Sequence, residues 1–141
     1  MEGPTYSHPV RATYSYGLLN FAAGNLTNFM VPPPRARNGR VVDIHVRATI
    51  TFTNVTTAAI VNIGTVATPA KYATLNLGAL VAGSAANFVT TGGTPFNEAL
   101  VNFLDINFDR DLVTQVQLQV LAPTGGGPAG TGYLDVFMAW F

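Results

Sequence analysis

Cysteine is absent from the sequence of 141 residues. Its absence excludes disulfide frameworks, thiolate metal sites and cysteine nucleophiles, and it leaves the redox compartment undetermined. A chain of this length normally forms one domain and buries a core large enough to fold without metals or disulfides. We therefore predict a single packed domain over residues 14–141. We expect an extended arm before it, over residues 1–13, where prolines and a glycine follow no regular period.

Charged residues are scarce, at 10% of the sequence against about 25% in an average soluble domain. Hydrophobic residues make up 48%. A lone molecule of this composition has difficulty keeping its surface free of apolar patches, so we expect copies of the chain or a partner to cover much of that surface. The 7 basic and 7 acidic residues cancel, which argues against nucleic acid and anionic lipid as partners.

Long hydrophobic runs are also lacking. No segment reaches about 18 consecutive apolar residues, the length that a membrane-spanning helix requires. The opening stretch, MEGPTYSHPV, has no charged region followed by an apolar one, so we expect no classical secretory signal. The sequence therefore predicts no membrane partner.

Residues suited to catalysis or metal binding are few and scattered. Histidine occurs only as His8 and His45, and no serine lies in a recognisable nucleophile motif. The glycine-rich stretch TGGGPAGTG at 124–132 lacks the Lys-Ser or Lys-Thr pair of a phosphate loop. The run DINFDRD at 105–111 spaces its oxygen ligands as a calcium loop does, but it lacks the glycine and the bidentate glutamate that such a loop needs. We therefore expect no enzymatic activity, no cofactor and no metal.

A strict period of two predicts a long strand in the segment RVVDIHVRATITFT at 40–53. Apolar residues alternate there with polar ones, which is typical of a half-buried antiparallel strand. The predicted inward positions are Val42, Ile44, Val46, Ala48, Ile50 and Phe52.

Shorter segments of the same kind predict further strands at 13–23, 58–64, 71–80, 87–90 and 112–122. In the last of these we expect the glutamines to mark the outer face. The segment 94–104 fits a short helical turn as well as an extended conformation. Short strands joined by glycine and proline turns predict an all-β fold, an antiparallel β-sandwich or jelly roll.

The final segment, YLDVFMAWF at 133–141, is apolar on both of its faces if it is a strand. One face would enter the core of the domain, and the other would contact a sister subunit. The candidate residues for this oligomer interface are Tyr133, Phe137, Trp140 and Phe141.

The one basic cluster lies in the loop PPPRARNGR at 32–40, which holds Arg35, Arg37 and Arg40. It is either a solvated loop or a docking loop, because an arginine fork pairs with the carboxylates of a partner and a proline-stiffened loop loses little entropy on binding. Tyr14 and Tyr16 either begin the first strand or, together with Tyr6, form part of an interface, since tyrosine is enriched there.

The charge-poor, cysteine-free composition, the arm and strands such as DIHVRATITFTNVTTAAIVNIGT together resemble the capsid decoration or cement proteins of tailed bacteriophages. The resemblance implies a homo-oligomer, either a dimer or a trimer, that binds the major capsid protein on the outside of the phage head. It also implies a virion location after assembly in the host cytoplasm. The residues that would then face the capsid are Tyr6, His8, Arg11, Arg35, Arg37 and Arg40.

The alternative hypothesis is a jelly-roll glycan-binding module of a phage tail or spike. Glycan sites place exposed aromatic residues and a few polar side chains in a groove. A jelly-roll enzyme of the cupin kind would need clustered histidine ligands, which two isolated histidines do not supply.

Overall fold

The computed structural model describes residues 10–33, 38–53, 56–87, 104–105 and 116–140. These residues form nine strands and a single turn of 3-10 helix at Phe21–Ala23. The strands are β1 (Val10–Asn20), β2 (Leu26–Phe29), β3 (Asn38–Thr53), β4 (Ile60–Gly64), β5 (Ala73–Asn76), β6 (Ala85–Asn87), β7 (Leu104–Asp105), β8 (Gln117–Leu121) and β9 (Ala129–Trp140). Within these ranges no helix is long and apolar enough to cross a membrane.

The strands form two antiparallel sheets. Sheet A has the order β1-β9-β3-β6, with β7 pairing at one end of β3, and sheet B has the order β2-β8-β4-β5. The pairs β1·β9, β2·β8, β3·β6 and β4·β5 nest inside one another, as if a long hairpin had been wrapped around a core. This nesting is the jelly-roll arrangement, so the prediction of an all-β sandwich is confirmed.

The predicted inward positions of β3 are confirmed at Ile44, Val46, Ala48 and Phe52 and are wrong at Val42 and Ile50. Ile44 and Val46 are fully buried, as expected. Register shifts occur between Val41 and Asp43 and again on both sides of Ile50. Each shift inserts an extra residue and exchanges the two faces of the strand. As a result Val41 is buried in place of Val42, and Ile50 is 54% exposed.

A single hydrophobic core lies between the sheets. Its aromatic centre is the pair Phe21 and Phe52, whose ring centroids are 5.2 Å apart. Trp140 is the largest fully buried side chain and is 0% exposed. The prediction that Trp140 contributes to an oligomer interface is therefore wrong, because this indole faces inward beside Val10 and Gly39.

The first strand begins earlier than predicted. Val10 pairs with Trp140 and Thr13 pairs with Phe137, so residues 10–13 belong to β1 and not to an arm. Residues 1–9 lie outside the described ranges. Of the predicted strand at 87–90 the described part is Asn87, in β6, and of the ambiguous segment 94–104 it is Leu104, in β7.

The glutamines of β8 face away from the core, as predicted, because Leu118 and Val120 between and beside them enter it. Outward orientation does not mean full exposure here, since Gln117 is buried and Gln119 is only partly exposed. Gln117 is 4% exposed, and Gln119 accepts a hydrogen bond of 3.0 Å from Nδ2 of Asn62. Asn62 is itself 6% exposed, and its Oδ1 has no hydrogen-bond partner in the described part of the chain. A pair of bonded amides, Asn62 and Gln119, therefore lies in the middle of the outward side of sheet B.

Close contact between β9 and β3 requires glycine at position 132. A Cβ atom at Gly132 would lie 2.6 Å from the carbonyl oxygen of Arg47, which is backbone and has little freedom to move. We predict that Gly132→Ala lowers the free energy of unfolding by about 1–3 kcal/mol, the usual cost of overpacking. Chemical denaturation measures the change.

The matched control for this substitution is Gly126→Ala, because a Cβ atom at Gly126 meets nothing within 4 Å. Equal stabilities of the two variants would contradict the proposed contact between β9 and β3.

Candidate functional site

The outward side of sheet A is the most distinctive surface of the described structure. In β9 the inward residues Leu134, Val136 and Met138 are buried, so the residues between them point away from the core. Because β9 lies between β1 and β3, the pairing of these three strands assigns each outward residue its neighbours. We call this surface the outer face of sheet A, and its residues are Arg11, Thr13, Ser15, Leu18, Arg40, Asp43, His45, Arg47, Ile50, Thr131, Tyr133, Asp135, Phe137 and Ala139.

Two arginines flank a small residue at one end of this face. Arg11 of β1 and Arg40 of β3 both lie opposite Ala139 of β9. They are therefore two strands apart, or about 10 Å between Cα atoms. Both are exposed, and the residue between them in the register offers no carboxylate. The pair presents two guanidinium forks side by side to an approaching partner.

Aromatic and aliphatic side chains also lie on this face. Phe137 is 37% exposed and lies between Thr13 and Asp43. Tyr133, which is 47% exposed, has Leu18 on one side and Arg47 on the other. Large exposed residues of this kind cluster at protein interfaces and not on the surfaces of isolated monomers.

Charge is concentrated on the same face. Apart from Asp105 of β7, the described ranges contain six charged residues, and Lys71 is the one that lies elsewhere. The five on the outer face of sheet A are Arg11, Arg40, Asp43, Arg47 and Asp135. By contrast, the row that crosses the outward side of sheet B is uncharged and consists of Thr27, Gln119, Asn62 and Thr74.

The structure brings together residues to which the sequence assigns two separate roles. Arg11 and Arg40 are predicted to dock on a capsid, and Tyr133 and Phe137 are predicted to form an oligomer interface. All four lie on the outer face of sheet A. The remaining predicted residues, Tyr6, His8, Arg35, Arg37 and Phe141, lie outside the described ranges.

Sequence reasoning missed Asp43, Arg47 and Asp135 as members of this surface. Alternation along each strand indicates that they point outward, but it does not indicate which strands are neighbours. His45, predicted to be an exposed or interface residue, lies directly opposite Asp135 across β3 and β9. That pairing depends on the register shift after Val41, which no local sequence pattern signals.

A depression of about 230 Å³ lies beside the 3-10 turn, lined by Leu19, Phe21, Leu26 and Val120 among others. The oxygen atoms of its two amide side chains are already bonded to the backbone. Oδ1 of Asn20 accepts from the backbone N–H of Ala22, and Oδ1 of Asn25 accepts from that of Ala122. The depression is therefore mainly apolar, with few groups left to orient a polar ligand. In the described part of the chain no three His, Cys, Asp or Glu residues converge to hold a metal ion.

Two tyrosines of β1 lie half-buried at the edge of the sandwich. The Tyr14 hydroxyl donates a hydrogen bond of 2.6 Å to the carbonyl oxygen of Val31. Burial raises the pKa of Tyr14, and an interaction with the Trp140 indole acts in the opposite direction, although Nε1 of Trp140 makes no hydrogen bond of standard geometry within the described structure. Burial, with a further contribution from the charge of Tyr14, raises the pKa of Tyr16 to about 12.

Comparison with known proteins gave one match, among solved structures. No protein-family profile matches the chain, and no curated protein matches it. A chain from a structure titled "Cyanophage Pam1 capsid asymmetric unit" is similar over 99% of this chain and 91% of its own length, with 18% sequence identity and a TM-score of 0.45. A similarity of this size carries no argument about function, so the interpretation below depends on the geometry of the outer face.

The edge tyrosines predict a loss of stability at alkaline pH. Both pKa values are higher in the folded protein than the ordinary value of 10.0, so the folded state holds these protons more tightly than the unfolded state does. Their contribution is complete below pH 10 and is lost as the pH rises towards about 12. We expect the free energy of unfolding to fall over this interval, as measured by denaturation at a series of pH values.

The double variant Tyr14→Phe, Tyr16→Phe removes both ionisable hydroxyls and serves as the comparison. Its stability should decline less steeply over the same alkaline interval. An equally steep decline would show that other groups are responsible.

Proposed function

We propose that this chain is a structural virion protein, a capsid decoration or cement protein that binds the outside of a phage head and stabilises the contacts between major capsid subunits. The observation that supports this proposal is the concentration of charge on the outer face of sheet A, among the described residues, beside the exposed rings of Tyr133 and Phe137. In this proposal the protein acts by adhesion alone, without catalysis and without a cofactor.

The outer face has the composition of a protein-binding surface. Phe137 and Tyr133 supply apolar contact area, and tyrosine, phenylalanine and arginine are the residue types enriched at the centres of interfaces. Arg11 and Arg40 border this apolar strip at one end, where their forks can each bind a carboxylate through two hydrogen bonds. The capsid surface that fits this face is therefore apolar at its centre and acidic beside it.

The rigidity of the jelly roll suits the same role. A cement protein must resist forces that separate capsid subunits, and the docking residues here project from paired strands of one sheet and not from loops. Side chains on such strands lose little backbone freedom on binding, which limits the entropic cost of docking. In the proposed assembly several copies act together as a homo-oligomer on the surface of the virion, after assembly in the host cytoplasm, so that weak contacts add up through avidity.

The glycan-binding alternative gains no support from the depression beside the 3-10 turn. Glycan recognition uses free amides and hydroxyls beside an exposed aromatic ring. Asn20 and Asn25 are engaged with the backbone there, and Phe21 is buried.

The charge-reversal variant Arg11→Glu, Arg40→Glu tests the proposed docking face. Both side chains are exposed, so the domain should remain folded, while repulsion from the acidic capsid surface should weaken binding on the order of tenfold or more. The measurement is co-sedimentation of the purified protein with head shells of the phage that encodes it.

Lys71→Glu is the matched control, because Lys71 is an exposed cation away from the outer face of sheet A. It should bind the shells as the unaltered protein does. Undiminished binding by the double variant would refute the docking face, and failure of the unaltered protein to bind would refute the proposed function.

A further inference from the structure

β1 is a long strand at the edge of sheet A. It spans 11 residues and, within the described ranges, pairs with β9 and with no other strand. The backbone N–H and C=O groups of β1 that point away from β9 have no hydrogen-bond partner in the described part of the chain. The pairing with β9 is regular from Val10 to Ser15 and shifts only at Gly17. This regular stretch therefore offers an unpaired row of N–H and C=O groups.

Natural proteins usually protect such an edge with prolines, lysines or an early bulge, since an open edge recruits further strands. The stretch Val10–Ser15 has no proline and no lysine, and its one charged residue is Arg11. Tyr14 and Tyr16 lie half-buried on its inner side, which leaves part of each ring for another surface to cover. The edge is thus suited to receive a strand.

We propose that the occupant is β1 of a second copy of this chain, paired antiparallel about a two-fold axis at Thr13. The two copies of sheet A then form one continuous sheet. In this register Thr13 lies opposite Thr13 of the second copy, and Arg11 lies opposite Ser15. Threonine pairs are favourable across antiparallel strands.

Charge and the bulge at Gly17 together select this register among the alternatives. An axis at Arg11 would place two guanidinium groups directly opposite each other, and an axis at Ala12 would make them diagonal neighbours. An axis at Tyr14 or at Ser15 would extend the pairing over the bulge at Gly17. The axis at Thr13 keeps the two arginines about four residues apart, or roughly 13 Å.

The two-fold axis is perpendicular to the joined sheet, so both outer faces point in the same direction. The strip of Tyr133 and Phe137 in one copy then lies beside that of the other, and the docking surface is doubled without being covered. This inference rests on the proposed function only in assuming that the protein works as a homo-oligomer.

Light scattering over a range of concentrations tests the pairing in the full-length protein. The expected mass is twice the 14.9 kDa of the chain. Thr13→Lys places two ammonium groups opposite each other, and the dimer should weaken by about tenfold or dissociate. Thr27→Lys, the same substitution at an exposed threonine on the edge strand of sheet B, should leave the mass unchanged.

A cross-linking experiment reports on the register. The chain has no cysteine, so Thr13→Cys introduces a single thiol, and its Cβ atom should lie about 4.5–5.5 Å from that of the second copy. This spacing borders the range of a disulfide, and mild oxidation should yield a covalent dimer. Thr27→Cys should not cross-link.

A monomer at all concentrations, a trimer, or a dimer that Thr13→Lys leaves intact would each overturn this pairing. A dimer that forms through β1 but does not bind head shells would refute the proposed function and leave the pairing in place. Binding of head shells by a monomer would refute the pairing and leave the proposed function in place.

Discussion

The pairing of β9 with both β1 and β3 is the constraint on which the rest of the structure depends. β9 has neighbours on both sides over most of its length, so its alternation fixes the contents of both faces of sheet A. Leu134, Val136 and Met138 enter the core. The residues between them carry the exposed surface, and their neighbours on β1 and β3 follow from the register. Core and surface are therefore set by the same hydrogen bonds.

The shortage of charge has a structural counterpart. The described part of sheet B presents threonine, asparagine and glutamine in its central row. Of the charged residues within the described ranges, five lie on the outer face of sheet A. Sparse charge does not mean an even distribution of charge. A surface that combines arginine pairs with Tyr133 and Phe137 has stronger preferences for its partner than the overall composition suggests, because its charges are close together and lie beside apolar area.

The sequence was sufficient for the fold class and for the interior of β3, because a long alternation of β-branched residues with polar ones suits a half-buried strand and does not suit a helix. It was insufficient wherever a bulge exchanges the two faces, as at Val42 and Ile50. It also misplaced Trp140, whose aromatic character fits an interface and a core equally well until the pairing with Val10 is known. Alternation assigns the glutamines of β8 to the correct face, but it does not reveal that Gln117 is buried. Polarity does not require exposure, because amides can bond to one another, as Nδ2 of Asn62 does to Gln119.

From the sequence alone, individual residues of the outer face of sheet A can be identified, but the face as a whole cannot. Arg11 and Arg40 stand out in the sequence for their charge and Tyr133 and Phe137 for their size, but their proximity depends on contacts between segments far apart in the chain. Arg40 and Ala139 are neighbours in space, although they come from opposite parts of the sequence. Such long-range register is decided by the whole sheet, and no window of the sequence contains it.

The uneven placement of ionised groups makes the two sides of the sandwich respond differently to the surrounding medium. Dissolved ions screen exposed charges over a Debye length of about 8 Å at physiological ionic strength, and over less as salt is added. Added salt therefore acts on the side that carries Arg11, Arg40 and Arg47, whereas the described row of amides and hydroxyls across sheet B has no charge for it to screen. Any contact made through the first side is accordingly sensitive to the electrolyte, and a contact made through that polar row is much less so.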